Sequence, residues 1–277
     1  MERPAATNIP VPTAPTYVPG SLSAVGGRFI SRGRLGARAL YWIGWIAFSR
    51  RSVVTAGVEG EVAAIGLGGL RLVASASVLV GLIATFQVSY QLAPYGAETL
   101  TTRVLAWFAA RELGPIVVAI LVVARSAASI AGELASMSAT GEIDALRAMG
   151  LDPVKYLVAP KVLAVLIVLP ALTVIADAMI PLGGWIGSTV FLGYSTNQFV
   201  EQFRESFLPR DLSVGIAKAV LFALVIAIIS ADEGLNAERK PHAIGAAATR
   251  AVVFCLIGVL AMDTMVNAIF YFIPSIL

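Results

Sequence analysis

Five long apolar segments constrain this chain more than any other feature of its sequence. Each approaches or exceeds the roughly 20 residues that an α-helix needs to cross about 30 Å of hydrocarbon. Because 58% of the 277 residues are hydrophobic and 13% are charged, with a mean hydropathy of +0.84, a soluble fold would leave much apolar surface in water. We therefore predict an all-α integral membrane protein with a single membrane domain. The five predicted spans cover about residues 72–92, 104–132, 162–190, 212–231 and 246–272.

The residues before the first span divide into a tail and a basic segment. Residues 1–27 are predicted to form a disordered tail, because the first twenty are rich in Pro and Thr and lack the basic-then-apolar order of a signal peptide. Residues 28–51 interleave arginines with large apolar side chains, a pattern typical of an amphipathic helix in the headgroup layer with its basic groups toward anionic lipid. The alternative is a short additional span at residues 40–48. The membrane domain is predicted to cover 28–277.

The distribution of positive charge predicts how the spans are oriented. About fifteen Lys and Arg residues lie in the segment up to Arg71 and in the connections at 125–161 and 239–250, whereas about four lie in the connections at 93–111 and 191–211. Positively charged connections remain in the cytoplasm. The N-terminus is therefore expected inside and the C-terminus outside, which agrees with an odd number of spans.

The connection between the second and third spans contains a short amphipathic pattern. Gly141 opens it, Gly150 and Asp152-Pro153 close it, and the apolar residues between them recur at helical spacing. A helix of this kind can lie on the bilayer or dock in a groove of a soluble partner. It loosely resembles the coupling helix by which ABC permeases contact their ATPase. The residues of this predicted coupling helix are Glu142, Ile143, Asp144, Leu146, Arg147, Met149 and Gly150.

Four ionisable residues lie at similar depths inside the apolar spans. Arg111 and Glu112 are about 11 Å from the outer end of the second span, and Lys218 is about 9 Å and Asp263 about 14 Å from the outer ends of theirs. Charges at such depths are costly when isolated, so they usually pair around an interior cavity. We predict one cluster of these four residues beside a substrate cavity. The alternative is that the cluster only holds the helices in register.

Several stretches together resemble the MlaE/YrbE permease family, the membrane subunits of Mla- and Mce-type lipid transporters. They are RELGP at 111–115, ARSAASIAGELASMSATGEIDALRAMGLDP at 124–153, ATRAVV at 248–253 and VLAMD at 259–263. The resemblance runs from about Arg28 to the C-terminus. Asp177 departs from the family pattern, so the resemblance assigns it no role.

The resemblance implies that this chain is one of several different subunits of a transporter. Two copies of this chain would surround a lipid pocket that opens to the periplasm of a bacterial inner membrane. A cytosolic ABC ATPase, a periplasmic MCE-domain protein and a small STAS-domain protein would be its partners, and phospholipid or another lipid its substrate. The residues themselves contain no G-x-x-x-x-G-K-[ST] phosphate loop, so ATP and Mg²⁺ are expected to bind the partner ATPase.

Two other function classes remain open at this point. A secondary transporter would also contain buried charges, but it would need no ATPase. An enzyme acting on lipids would need a nucleophile or a metal-binding cluster, and the sequence indicates neither. No catalytic residue, metal site, bound cofactor or nucleic-acid partner is therefore expected in this chain.

Overall fold

The computed structural model describes residues 31–42 and 52–272. Within these residues the chain consists of helices joined by turns, with no strand. Single π-turns interrupt or extend the helices of two spans at Ala109–Leu113, Val123–Ala127, Val154–Val158 and Gly187–Phe191. The α-helices are α1 (31–42), α2 (Ser52–Leu92), α3 (Thr101–Phe108), α4 (Gly114–Val122), α5 (Ala128–Ala139), α6 (Glu142–Ala148), α7 (Ala159–Ile186), α8 (Thr196–Ser206), α9 (Pro209–Leu235) and α10 (Ala243–Phe272).

The five predicted spans are confirmed. Helices long and apolar enough to cross a membrane cover Gly57–Tyr95, Thr101–Ala139, Val154–Phe191, Pro209–Leu235 and Ala243–Phe272. The first span differs from its prediction, because α2 begins at Ser52, about twenty residues before the expected start at Leu72. Residues up to Arg71 were expected to precede the span, but Gly57, Gly66 and Gly69 face α7 in the structure.

The predicted tail at 1–27 lies outside the described residues. So do the two ends of the predicted interfacial helix, of which the structure describes the helical part at 31–42.

Close packing of α2 against α7 forms the largest interface between two helices of the bundle. The two helices run in the same direction, since Gly69 faces Leu172 and Gly81 faces Ile180. A Cβ atom at Gly81 would lie 1.9 Å from the Ile180 carbonyl oxygen, and one at Gly183 would lie 2.0 Å from that of Val78. The two backbones are therefore in direct contact, as the small-residue spacing of Gly183 and Gly187 predicts.

Because successive spans alternate in direction, the connections between them lie at two opposite ends of the bundle. The first, called here the α6 end, carries α1, α6 and the connection between α9 and α10. The second, called the α8 end, carries the connection after α2 and the helix α8.

Helix α8 was not predicted from the sequence. Its N-cap Ser195 accepts a hydrogen bond from the Gln198 backbone N–H at 3.1 Å, and its Phe199 is buried against the bundle. Stacked rings follow at every fourth position, with Phe199 on Phe203 and Phe203 on Phe207. That spacing and the N-cap serine are the signals that would have predicted this helix.

Helix α1 packs on the α6 end through ion pairs as well as apolar contacts. Arg32 donates to Asp232 Oδ2 at 3.0 Å and to Glu233 Oε1 at 2.7 Å, and Arg38 donates to Asp152 Oδ2 at 2.9 Å. The expectation that these basic groups face anionic lipid is wrong for Arg32. Its side chain is 14% exposed and binds carboxylates of α9, so it fixes α1 to the bundle.

Candidate functional site

Lys218 lies at the centre of the charged residues inside the bundle, with a side chain that is 1% exposed. Its Nζ atom is 2.7 Å from both carboxylate oxygens of Glu112 and 2.9 Å from Asp263 Oδ1. A third contact, at 2.7 Å, is to Asn267 Oδ1. Three helical segments thus meet at one ammonium group. We call Glu112, Lys218, Asp263 and Asn267 the Lys218 cluster.

Asn267 is the member of this cluster that sequence reasoning missed. It follows Asp263 by one turn of α10, and its amide donates to Asp263 Oδ2 and Glu112 Oε2, both at 3.3 Å. The amide therefore holds the two carboxylates around the ammonium without adding a charge. A polar residue four positions after an acidic one in an apolar span was the available signal.

Arg111 is not a member of the cluster, although the sequence analysis predicted it there. Its Nη1 atom is 3.9 Å from Asp211 Oδ1, and its guanidinium carbon lies 5.1 Å from the centre of the Phe270 ring. Asp211 lies in the first turn of α9, two turns before Lys218. Arg111 and Asp211 thus form a separate pair nearer the α8 end.

The cluster has more negative than positive formal charge. One ammonium faces two carboxylates, and the edges of these acids reach the surface, with Glu112 15% and Asp263 13% exposed. Burying unequal charges in a membrane is costly. The two carboxylates form the exposed side of the cluster, and the ammonium lies behind them.

A π-turn presents Glu112 to α9. Pro115 has no N–H for the carbonyl of Arg111, so a regular α-helix cannot continue through this point. The chain instead widens at Ala109–Leu113, and the Gly114 N–H bonds the Ala109 oxygen five residues back. The helix thus passes Gly114-Pro115 through a π-turn rather than a break, and such turns are common at functional sites.

Glycines let neighbouring helices approach this π-turn closely. A Cβ atom at Gly215 would lie 2.1 Å from the Ala110 carbonyl oxygen, so α9 contacts the turn directly. On the other side, a Cβ atom at Gly114 would lie 1.8 Å from Asp177 Oδ1. The π-turn is therefore held between the backbone of α9 and a carboxylate of α7.

Asp177 is the buried acidic residue to which the sequence assigned no role. It is 8% exposed, and neither carboxylate oxygen has a hydrogen-bond partner among the described residues. It lies behind the π-turn that carries Glu112, on the side away from α9.

A layer of ion pairs crosses the α6 end of the bundle. Lys161 of α7 is 5% exposed and contacts Glu61 of α2 and Glu133 of α5, the latter at 2.7 Å. Arg250 of α10 contacts Glu233 of α9 at 3.0 Å, so it joins these two helices. These five residues are called here the α6-end ion layer.

Helix α6 forms where the sequence predicts it, but its faces are used differently from expectation. Ile143 is 4% exposed and packs into the chain itself, whereas Met149 is 65% exposed. Asp144 binds Arg239 at 2.7 Å and Arg147 at 3.2 Å. Of the predicted coupling residues, Met149 is therefore the large apolar side chain still free to contact another protein.

Glycines in the left-handed region bound α6 on both sides. The φ angles are +81° at Gly141 and +74° at Gly150, which side chains other than glycine rarely adopt. Around α6, Glu142 and Arg147 are exposed and Leu146 is half-buried. The turn that carries α6 thus has a defined shape, with charged residues around an exposed methionine.

The chain is similar in sequence to a family of permeases and to several named proteins. A family model described as permease MlaE matches residues 60–269. A protein of Rickettsia prowazekii named as a probable ABC transporter permease is 31% identical over 207 residues, covering 75% of this chain and 80% of its own. The intermembrane phospholipid transport system permease protein MlaE of Haemophilus influenzae is 29% identical over 211 residues, with the same coverage. TRIGALACTOSYLDIACYLGLYCEROL 1 of Arabidopsis thaliana is 29% identical, covering 70% of this chain and 56% of its own.

Proposed function

This chain belongs to the MlaE permease family, and from that premise we propose that it is the membrane subunit through which an ABC transporter moves phospholipid or another lipid. The observation that carries the proposal is that the matched stretch, residues 60–269, contains the whole Lys218 cluster and the whole of α6. The chain would thus combine a polar site within the membrane and a docking helix at one end.

The family match does not favour the secondary transporter considered from the sequence. Both kinds of protein bury charges in the membrane, but the relatives are named as ABC transporter permeases. ATP would bind a separate ATPase subunit, because this chain has no phosphate-binding loop of its own.

We propose that the α6 end faces the cytosol of a bacterial inner membrane. The positive charges concentrated in the connections at this end support that orientation. A second copy of the chain, an ATPase beneath α6, a periplasmic MCE-domain protein and a STAS-domain protein would complete the assembly. The Lys218 cluster would then lie in the outer half of the membrane, beside a lipid pocket between the two copies.

The proposed function is tested by reconstituting the complex in liposomes with a fluorescent phospholipid. Transfer to an acceptor protein or vesicle is expected to require ATP and to stop when the partner ATPase is inactivated. Transfer that continues without ATPase activity and follows an ion gradient would favour a secondary transporter instead.

Replacing Met149 by glutamate is expected to weaken ATPase binding by about tenfold or more. Burial of a methionine side chain contributes about 1.5–3 kcal/mol, and a charge in its place would be buried unpaired. The ATPase that co-purifies with the permease measures the effect. The matched control is Val200→Glu, an exposed apolar residue of α8 at the opposite end (54% exposed). Equal ATPase recovery for the two variants would show that α6 does not dock there.

Met149→Glu is a sharper test than charge reversal at Glu142 and Asp144. Asp144 binds Arg239 of the same chain, so its reversal would also disturb the connection between α9 and α10.

A further inference from the structure

Arg125 lies within the second span, in the π-turn at Val123–Ala127, and its guanidinium rests on α2. A Cβ atom at Gly68 would lie 1.9 Å from its Nη2 atom and 2.3 Å from its Nη1 atom, so the guanidinium occupies the space that the glycine leaves free. The side chain is exposed. Among the described residues, nothing forms an ion pair or hydrogen bond with this guanidinium.

Arg71 extends the positive charge along the same face of α2. It follows Gly68 by three positions, which places the two residues about 5–6 Å apart on one side of the helix. Arg71 is also exposed, and its side chain has no ion-pair partner in the described part of the chain. The outer face of α2 and the second span thus presents two unneutralised guanidinium groups.

Both arginines lie on helices that are long and apolar enough to cross a membrane. Gly234 of α9 touches Leu134 of α5, so Glu133 and Glu233 of the α6-end ion layer are at the same height. Arg125 is eight residues from Glu133, or about 12 Å along the helix, and Gly68 is seven from Glu61, or about 10 Å. The Lys218 cluster begins at Glu112, about 20 Å farther toward the α8 end.

Two exposed arginines on membrane-spanning helices favour a counter-charge, because unpaired cations beside hydrocarbon are costly. A second copy of this chain would bring the same two arginines to this face and no negative charge. Between the α6-end ion layer and the Lys218 cluster, the described spans contain two acidic residues, and both are buried. Asp232 is next to Glu233 and binds Arg32, and Asp177 lies behind Gly114. An anionic lipid is the remaining source of negative charge within a membrane.

We propose that Arg125 and Arg71 bind the phosphate of an anionic membrane lipid on the outer face of α2 and the second span. Guanidinium groups bind phosphate through paired N–H donors, and Gly68 provides the flat surface against which one of them is held. The phosphate would lie about 10 Å from the α6-end ion layer, in the direction of the α8 end. The bound lipid is either the transported one or a resident one. Only the first of these rests on the proposed function.

The test uses spin-labelled phosphatidic acid and phosphatidylcholine in phosphatidylcholine nanodiscs containing the complete complex without ATP. Electron paramagnetic resonance measures the lipid fraction immobilised by the protein. We expect the wild type to favour phosphatidic acid, and the preference to fall about fivefold for each arginine replaced in Arg125→Gln and Arg71→Gln. The control is Arg103→Gln, an exposed arginine of α3 paired with exposed Glu205, which should change nothing.

Two further variants keep the test decisive if removal of charge impairs folding. Arg125→Lys retains the charge and should retain most of the preference. Gly68→Ala retains the arginine but displaces the end of its flexible side chain, so it should lower the preference with the net charge unchanged.

Unchanged preference in the folded Arg71→Gln/Arg125→Gln double variant would overturn the proposal. So would a disulfide between two copies of Arg125→Cys in a Cys255→Ala background, because residue 125 would then face a second copy. Loss of ATP-driven transfer together with the preference identifies the transported lipid as the ligand, and unchanged transfer identifies a resident lipid. Lipid binding is measured without ATP, so the outcome of this test does not depend on the proposed transport function.

Discussion

Replacing Lys218 by alanine is expected to abolish lipid transfer or assembly of the complex. The substitution leaves Glu112 and Asp263 facing each other inside the bundle without the ammonium that both contact at 2.7–2.9 Å. Removing one partner of a buried ion pair typically costs about 3–5 kcal/mol, which is a large part of the stability of most proteins. ATP-dependent transfer, normalised to folded protein in the membrane, measures the effect.

A double-mutant cycle with Asp263 separates a coupled cluster from independent residues. Asp263→Ala alone leaves the ammonium with one carboxylate, whereas the Lys218→Ala/Asp263→Ala double variant removes one charge of each sign. The double variant should therefore be less damaging than the sum of the two single changes. Strict additivity at normal expression would contradict the coupling.

The matched control is the ion pair between Arg103 and Glu205. These side chains are 51% and 56% exposed, and an exposed pair contributes about 0–1 kcal/mol. Arg103→Ala should therefore leave transfer nearly unchanged. A loss as large as that of Lys218→Ala would mean that the burial of Lys218 is not the cause of its effect.

Hydropathy predicted the number of spans because crossing hydrocarbon imposes a length and a composition that few other structures require. It did not predict the first twenty residues of α2, since glycines that pack against α7 resemble glycines of a loop until the partner helix is known. Helix α8 was missed for a related reason. Its apolar face consists of a few aromatic rings among polar residues, so its mean hydropathy does not mark it.

The charge cluster shows what depth along a helix can and cannot predict. A rise of about 1.5 Å per residue placed Glu112, Lys218 and Asp263 in one layer, and the structure brings them together. The same argument included Arg111, which pairs with Asp211 instead. Adjacent residues on a helix differ by about 100° in direction, so residues at equal depth can face different neighbours. Asn267 escaped prediction because only charged residues were considered.

The amphipathic pattern predicted the position of α6 better than the use of its side chains. Periodicity placed Ile143, Leu146 and Met149 on one apolar face, but an isolated segment does not reveal how much of that face the chain itself covers. Ile143 is buried in the chain, whereas Met149 remains exposed. The exposed apolar face of α6 is therefore smaller than the amphipathic pattern suggested.

Gly114→Ala is expected to reduce the yield of folded protein sharply, against the usual trend for this substitution. Alanine is favoured over glycine within helices by about 1 kcal/mol. At position 114, however, the added Cβ would lie 1.8 Å from Asp177 Oδ1 and 3.3 Å from the Ala109 carbonyl oxygen. Overpacking of this kind costs about 1–3 kcal/mol, and it would also shift the turn that carries Glu112. The thermal stability of the purified permease, with transfer as a second measurement, records both effects.

Removing the Asp177 side chain should rescue Gly114→Ala, because the clash is with that carboxylate. The Gly114→Ala/Asp177→Ala double variant is therefore expected to be more stable than Gly114→Ala alone. Gly132→Ala is the matched control, since a Cβ there meets nothing within 4 Å, and it should be neutral or mildly stabilising. A Gly114→Ala variant as stable as Gly132→Ala would refute the contact. Rescue of stability without rescue of transfer would show that Asp177 has a role in transport beyond its packing against the π-turn.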